Sequence, residues 1–218
     1  MYDAVVLDSD GVLVGLSGRE MLAAAIDRTY RSFGIRPDEN DRAALWVGTD
    51  PESVYAAADR RGLDPETVWT RRDQTVSRIE QAAIRAGEKP LHSDVAALNR
   101  VDAPLAVASN NLQTTVEVVL EGHGLRDRVT SVRARKPRLA SLADRKPAPT
   151  LLTDALSDLG VPPDRALFVG DGATDVEAAA RAGVDAALLA RPDHDPVEGV
   201  EPRHTIGSLA DLPDVVQG

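Results

Sequence analysis

Short apolar runs that stop on polar residues, separated by helical stretches, most narrow what this chain can fold into. Residues 4–8 (Ala-Val-Val-Leu-Asp), 104–109 (Pro-Leu-Ala-Val-Ala-Ser) and 166–171 (Ala-Leu-Phe-Val-Gly-Asp) are such runs, and 185–190 is a further apolar segment. Continuous apolar runs of this length suit strands buried on both faces rather than half-exposed ones. Between them the spacing predicts helices over 114–121, 149–159 and 175–182, the last ended by Gly183. Strands alternating with helices predict an α/β fold, a parallel sheet covered on both faces. Ligands of such sheets bind beyond the carboxyl ends of the strands. Asp8, Ser109 and Asp171 are therefore expected to converge on one crevice.

The interval from residue 15 to about 90 is far too long for a strand-to-helix connection, which takes about two to six residues. It reads as helical throughout, over 19–33, 41–46, 52–61 and 65–86, with N-caps at Ser17, Asp50 and Asp64. Pro51 and Pro65 stand at the first helical position of their helices. The expectation is a helical cap over 15–89 inserted into a core made of 1–14 and 90–218, with hinges near 14–17 and 88–92. The segment 191–202, rich in proline and acid, reads as loop.

Composition excludes several functions. With no cysteine there are no disulfides, thiolate metal sites or cysteine nucleophiles, so carboxylates and histidines must carry any metal or covalent chemistry. A net charge of -10 argues against nucleic-acid binding, which needs a basic footprint. No stretch approaches the roughly 18 apolar residues of a membrane span, and the start opens directly into the first strand, so a cytoplasmic protein without a membrane partner is expected. Lysine occurs only at Lys89, Lys136 and Lys146, and Asp far outnumbers Glu. That skew reads as halophilic, since molar salt screens an acidic surface within about 3 Å. An ordinary acidic protein from a GC-rich genome is the alternative.

Asp8-Ser9-Asp10-Gly11-Val12 follows the first run, so Asp8 and Asp10 point the same way at its end. One carboxylate can attack phosphorus while the other protonates the leaving oxygen and later activates water. Alone, such a turn reads equally as an acidic strand end. Ser109 and Asn110 offer a hydroxyl and an amide that suit phosphate oxygens, although both residue types are also common turn formers. Lys146-Pro147-Ala148-Pro149 precedes a helix, and its ammonium suits the charge between a carboxylate and a phosphate dianion. Lys136-Pro137 lies ten residues upstream with no helix behind it, so its side chain is expected to be solvated and its segment unanchored. In Gly170-Asp171-Gly172-Ala173-Thr174-Asp175, Asp171 and Asp175 can meet one hard cation.

Together the segments D-S-D-G-V, S-N, K-P-A-P and G-D-G-A-T-D resemble, in order, the four motifs of the haloacid dehalogenase superfamily. The resemblance covers the whole chain, because that family inserts a helical cap directly after the first motif. It implies a modified Rossmann-like core, Asp8 as nucleophile and metal ligand, and Asp10 as general acid/base bound to metal through its backbone carbonyl. It further implies that Ser109 and Lys146 hold phosphate and that Asp171 and Asp175 complete a Mg²⁺ site. The second acid, Asp10, makes dehalogenation an unexpected activity. The wording around the motifs is most similar to phosphoglycolate-phosphatase-like members, and a Mg²⁺-dependent phosphatase acting on a small phosphate monoester is expected. A phosphomutase on the same machinery, which needs a basic side chain near Asp10, and a non-enzymatic binding protein stand as alternatives. Within the insertion, Arg19, Arg42, Gly48 and Thr49 are candidate substrate contacts with simpler roles as helix surface or loop. Trp46 and Trp69 read as its core, and His92, His123, His194 and His204 as surface.

Overall fold

The computed structural model describes residues 1–192 and 196–218, so His194 lies outside the described residues. Six strands, β1 (Ala4–Leu7), β2 (Leu105–Leu112), β3 (Val129–Arg135), β4 (Ala166–Gly170), β5 (Asp185–Leu189) and β6 (His204–Ile206), form one parallel sheet. Their order is β3-β2-β1-β4-β5-β6, so the strand order reverses between β1 and β4. The helices are α1 (Arg19–Arg31), α2 (Glu39–Ala44), α3 (Pro51–Arg60), α4 (Pro65–Arg85), α5 (Gln113–Gly122), α6 (Thr150–Leu159), α7 (Ala173–Ala182) and α8 (Leu212–Gln217).

The two-residue period of a strand divides the apolar runs between two cores. Val5, Leu7, Leu105, Val107, Leu167 and Val169 pack with α5 and α8 through Val116, Leu120, Leu212 and Val216. Val6, Ala106, Ala108 and Phe168 pack with α6 and α7 through Leu152, Ala155, Leu156, Val176 and Ala179. Each fully buried aliphatic or aromatic side chain stabilises the fold by about 1.5–3 kcal/mol. This two-sided burial explains why the runs are continuous rather than alternating.

Helices α1 to α4 lie between β1 and β2 and share a core of Ile26, Tyr30, Leu45, Val54, Val68 and Trp69. Asp50 and Asp64 cap α3 and α4 by accepting from the Ser53 and Thr67 N–H groups, each cap contributing about 1 kcal/mol. Ser17, expected as the cap of α1, is not one: Gly18 holds that position, and the Ser17 hydroxyl donates to Glu80 instead. Helix α2 starts earlier than expected because Asp38 and Asp41 form a capping box. The chain enters and leaves these helices at adjacent points, where Val14 bridges both Asp10 and Leu91.

The edge strands β3 and β6 were not expected. β3 carries Arg133 and Arg135 and alternates between buried and accessible positions, and β6 has three residues, so neither makes a continuous apolar run. The segment after Lys136 also departs from expectation. It forms a 3₁₀ turn, Leu139–Asp144, and Leu139 and Leu142 pack into the core of α1 to α4. Lys136 itself is exposed. His92, His123 and His204, expected at the surface, are partly buried, with Nε2 of His123 on the Lys89 carbonyl and that of His204 on the Tyr2 hydroxyl. Among the described residues no helix is long and apolar enough to cross a membrane.

Candidate active site

The carboxyl ends of β1, β2 and β4 open into one cavity of about 420 Å³ between the sheet and α1 to α4. Asp8, Asp10, Ser109, Asn110, Lys146, Asp171 and Asp175 all line it. The seven residues singled out from the sequence therefore lie together.

Asp8 follows β1, and its N–H donates to the Val169 carbonyl at 2.9 Å. Its Oδ1 accepts from the Ser9 N–H at 2.7 Å, and its Oδ2 meets Lys146 Nζ at 2.8 Å. Lys146 is only 2 % exposed. Its Nζ also reaches Asp175 Oδ1 at 2.7 Å and the Ala108 carbonyl at 3.2 Å, over the ring of Phe168. Burial opposes its charge, but the carboxylates of Asp175 and Asp8 outweigh it and raise its pKa above the ordinary lysine value. Burial pushes the Asp8 carboxyl up to about 7 against the pull of Lys146, with the Asp175 charge adding to the rise. Asp171 rises to about 6, through burial and then the Asp175 charge.

Local backbone needs fix two glycines. Gly11 has φ +79°, and a Cβ there would collide with the Asp171 carboxylate. A Cβ on Gly170 would strike the Asp175 side chain, whose Oδ2 accepts from the Gly172 N–H at 3.0 Å. The turn after Asp8 is held from outside as well. Arg191 donates through Nε to the Gly11 carbonyl and through Nη2 to the Val12 carbonyl, both at 3.0 Å, while Asp94 accepts from Nη1 at 2.9 Å and from Nη2 at 3.0 Å.

The side-chain amide of Asn110, a candidate for phosphate, lines the cavity and contacts the lysine loop. Its Oδ1 accepts from the Lys146 N–H at 2.7 Å and its Nδ2 donates to the Lys146 carbonyl at 3.3 Å, so it clasps the lysine loop. Ser109 is 1 % exposed, with its Oγ accepting from the Asn111 N–H at 3.2 Å. Asp10 is held on both oxygens: Lys89 Nζ donates to Oδ1 at 2.5 Å and Asn111 Nδ2 to Oδ2 at 2.8 Å.

Single carboxylate oxygens of Asp8, Asp171 and Asp175 lie within 4.8 Å of one another. Asp175 Oδ1 is buried against the Lys146 ammonium at 2.7 Å. Three crowded carboxylate oxygens, two of them on acids that burial holds above the ordinary carboxylate range, form a donor set that fits a hard divalent cation such as Mg²⁺.

Residues 2–183 match the family of haloacid dehalogenase-like hydrolases. The chain belongs to that family. This hydrolase is 30 % identical over 224 residues to a phosphoglycolate phosphatase of Rhodospirillum rubrum, covering 98 % of this chain and 88 % of the relative. It is 25 % identical over 185 residues to a phosphoglycolate phosphatase of Aquifex aeolicus, with 84 % and 83 % covered. Its fold matches the crystal structure of CbbY from Rhodobacter sphaeroides in complex with phosphate, at TM-score 0.69 and 23 % identity over 97 % of this chain and 96 % of that one.

The hydrolase also carries residues at its cavity that motif reading passed over. Lys89, 9 % exposed, bridges Asp10, Ser17 and the buried Glu80 of α4. Burial opposes its charge, but Asp10 and Glu80 outweigh it and raise its pKa. Glu80 in turn accepts from Asn111 at 3.1 Å. The scarcity of lysine was a signal for Lys89 as much as for Lys146. Arg72, Asp73, Arg135 and Arg145 complete another wall of the cavity. Of the candidates from the insertion, Arg19 lines the cavity, and Arg42 pairs with Asp27 at 2.7 Å instead. Gly48 and Thr49 present their carbonyls to Arg145.

Proposed function

We propose that this phosphatase hydrolyses a small phosphate monoester through an aspartyl phosphate on Asp8, with Mg²⁺ held by the carboxylates of Asp8, Asp171 and Asp175 and by the Asp10 backbone carbonyl. The observation that carries the reading is the ammonium of Lys146, held at the floor of the cavity between the Asp8 and Asp175 carboxylates. Without that positive charge, the nucleophile and a phosphate dianion repel each other. Mg²⁺, held by these carboxylates, would supply further positive charge to the site.

Asp8 attacks phosphorus as the ester oxygen departs, and Asp10 delivers its proton to that oxygen. Asp10 then accepts a proton from the water that attacks the acyl phosphate, which regenerates Asp8 and releases phosphate. Ser109 donates to the phosphoryl oxygens, and Asn110 keeps the Lys146 loop in place. The helical segment 15–89 acts as a cap over the core of 1–14 and 90–218, bringing Trp46, Trp69 and Arg72 against the leaving group. A cavity of about 420 Å³ fits a small metabolite. The relatives named phosphoglycolate phosphatase make phosphoglycolate the first candidate.

A screen for phosphate release over small monoesters, in Mg²⁺ and high salt, tests this. Release that stops with EDTA and returns with Mg²⁺ is expected. Full activity in EDTA would remove the metal role of Asp171. One observation favours a second reading, a phosphomutase: Lys89 is a basic side chain 2.5 Å from Asp10. An isomeric sugar phosphate forming without free phosphate would establish that alternative.

A further inference from the structure

Next to the phosphate end of the cavity stands an excess of positive charge that the hydrolytic chemistry does not use. Arg72 comes from α4, Arg135 from the end of β3, and Arg145 from the residue before Lys146; all three line the cavity. Arg72 and Arg135 are both 6 % exposed and stack over the ring of Trp69, at 5.0 and 5.8 Å from its centroid. They share one carboxylate, Asp73, which meets Arg72 at 2.9 Å and Arg135 at 3.3 Å. Arg145 donates through Nη2 to the Gly48 and Thr49 carbonyls at 3.2 and 2.9 Å, and among the described residues it makes no ion pair.

Among the described residues Asp73 is the one carboxylate paired with any of these three guanidinium groups; Asp50, whose charge also bears on Arg145, is taken up by the Ser53 N–H and hydroxyl at the start of α3. Burial, followed by the charges of Arg135 and Arg72, lowers the pKa of Arg145, and burial lowers that of Arg72. Glu80, which also bears on Arg72, is engaged with Lys89 and Asn111. Burying like charges is costly unless an opposite charge joins them. A planar guanidinium fork matches the two oxygens of a carboxylate or of a phosphate. Asn110 links the two halves of the cavity: its carbonyl accepts from Arg135 Nε at 2.8 Å, and its side chain clasps Lys146. A short substrate held at phosphorus thus shares its cavity with the arginines.

Resting on the phosphatase reading above, we propose that Arg145, supported by Arg72, binds a second anionic group of the substrate. The enzyme thereby selects short phosphate monoesters with a carboxylate or second phosphate at the other end. Phosphoglycolate falls in this class through its carboxylate, whereas a neutral alkyl phosphate does not.

Non-hydrolysable phosphonates of one length separate the claims when titrated calorimetrically into the full chain in Mg²⁺. Phosphonopropionate carries the carboxylate, ethylenebisphosphonate the second phosphate, and propylphosphonate neither. One of the two doubly anionic probes is expected to bind tenfold or more tighter than propylphosphonate, and the stronger one identifies the group. Arg145→Gln is expected to bring that ratio close to one, and Arg145→Lys, which keeps the charge, to restore part of it. Equal binding of all three probes to the unaltered protein overturns the inference and leaves the phosphatase reading intact; this arm needs no variant to fold. A high ratio that survives in both variants overturns the assignment to Arg145. An equal loss for all three probes in Arg145→Gln would place the arginine on the transferred phosphate, which also overturns it. Failure of every probe to bind, with no phosphate released from any monoester, sinks the phosphatase reading itself.

Discussion

Replacing Lys146 by alanine removes the only positive charge in contact with Asp8 among the described residues. At 2.7 to 2.8 Å, each of its two carboxylate contacts is worth about 6 kcal/mol of Coulomb attraction at an effective dielectric constant near 20, before desolvation is counted. Desolvation offsets most of that, and breaking a buried pair by deleting one partner has a net effect of about 3–5 kcal/mol. The folded protein should therefore lose stability of that order, less whatever proton uptake by Asp8 recovers. In the reaction, the missing charge should reduce kcat/KM by about 100-fold, on the order of 3 kcal/mol. Lys136 is the control, because it also precedes a proline but stands exposed with no ion pair among the described residues. Urea melts and phosphate-release kinetics of Lys146→Ala and Lys136→Ala, both checked for folding by circular dichroism, decide the matter. A Lys146→Ala enzyme within about threefold of the parent, or a crippled Lys136→Ala, refutes the reasoning.

Asp94 gives a pH prediction. Burial disfavours its charge, but Arg191, the Leu209 N–H and the Ser208 hydroxyl outweigh it and hold its pKa below the ordinary carboxylate value. A folded-state pKa below the unfolded one means that the contribution is present above pH ~4 and lost as the pH falls through the folded value. Asp94→Asn should thus lose about 2 kcal/mol at neutral pH and less at pH ~3, and an equal loss at both in urea melts would count against it. Salt supplies another test. With a net charge of -10, melting temperature and activity should rise with KCl toward the molar range, and a melting temperature unchanged from dilute buffer to molar salt would refute the halophilic expectation.

What the sequence could disclose depended on where each element sits. β1, β2 and β4 lie in the sheet interior, so burial on both faces wrote continuous apolar runs ending on Asp8, on Ser109 within a longer β2, and next to Asp171. β3 and β6 are edges, where partial exposure admits charged residues, and their segments read as loop. The acids and Lys146 were legible because each belongs to a local motif beside a strand end. Arg72, Arg135 and Arg145 were not, since only the fold brings α4, the end of β3 and the lysine loop to one wall. Arg191 was hidden for a similar reason: its partners, Gly11 and Val12, are some 180 residues away in the chain. Ser17 was misassigned because its position before a helix favours a cap, while the buried Glu80 offered it a stronger acceptor.

The central claim is the covalent step on Asp8, and chemical trapping tests it most directly. Enzyme quenched with acid during turnover, reduced with borohydride and digested should yield a peptide carrying homoserine at position 8, because borohydride reduces an acyl phosphate and leaves a free carboxylate intact. The same treatment of Asp8→Asn, which cannot form the acyl phosphate and should lose turnover by several orders of magnitude, should yield none. Aspartate unchanged at position 8 in enzyme caught while releasing phosphate, or substantial activity in Asp8→Asn, would contradict the account.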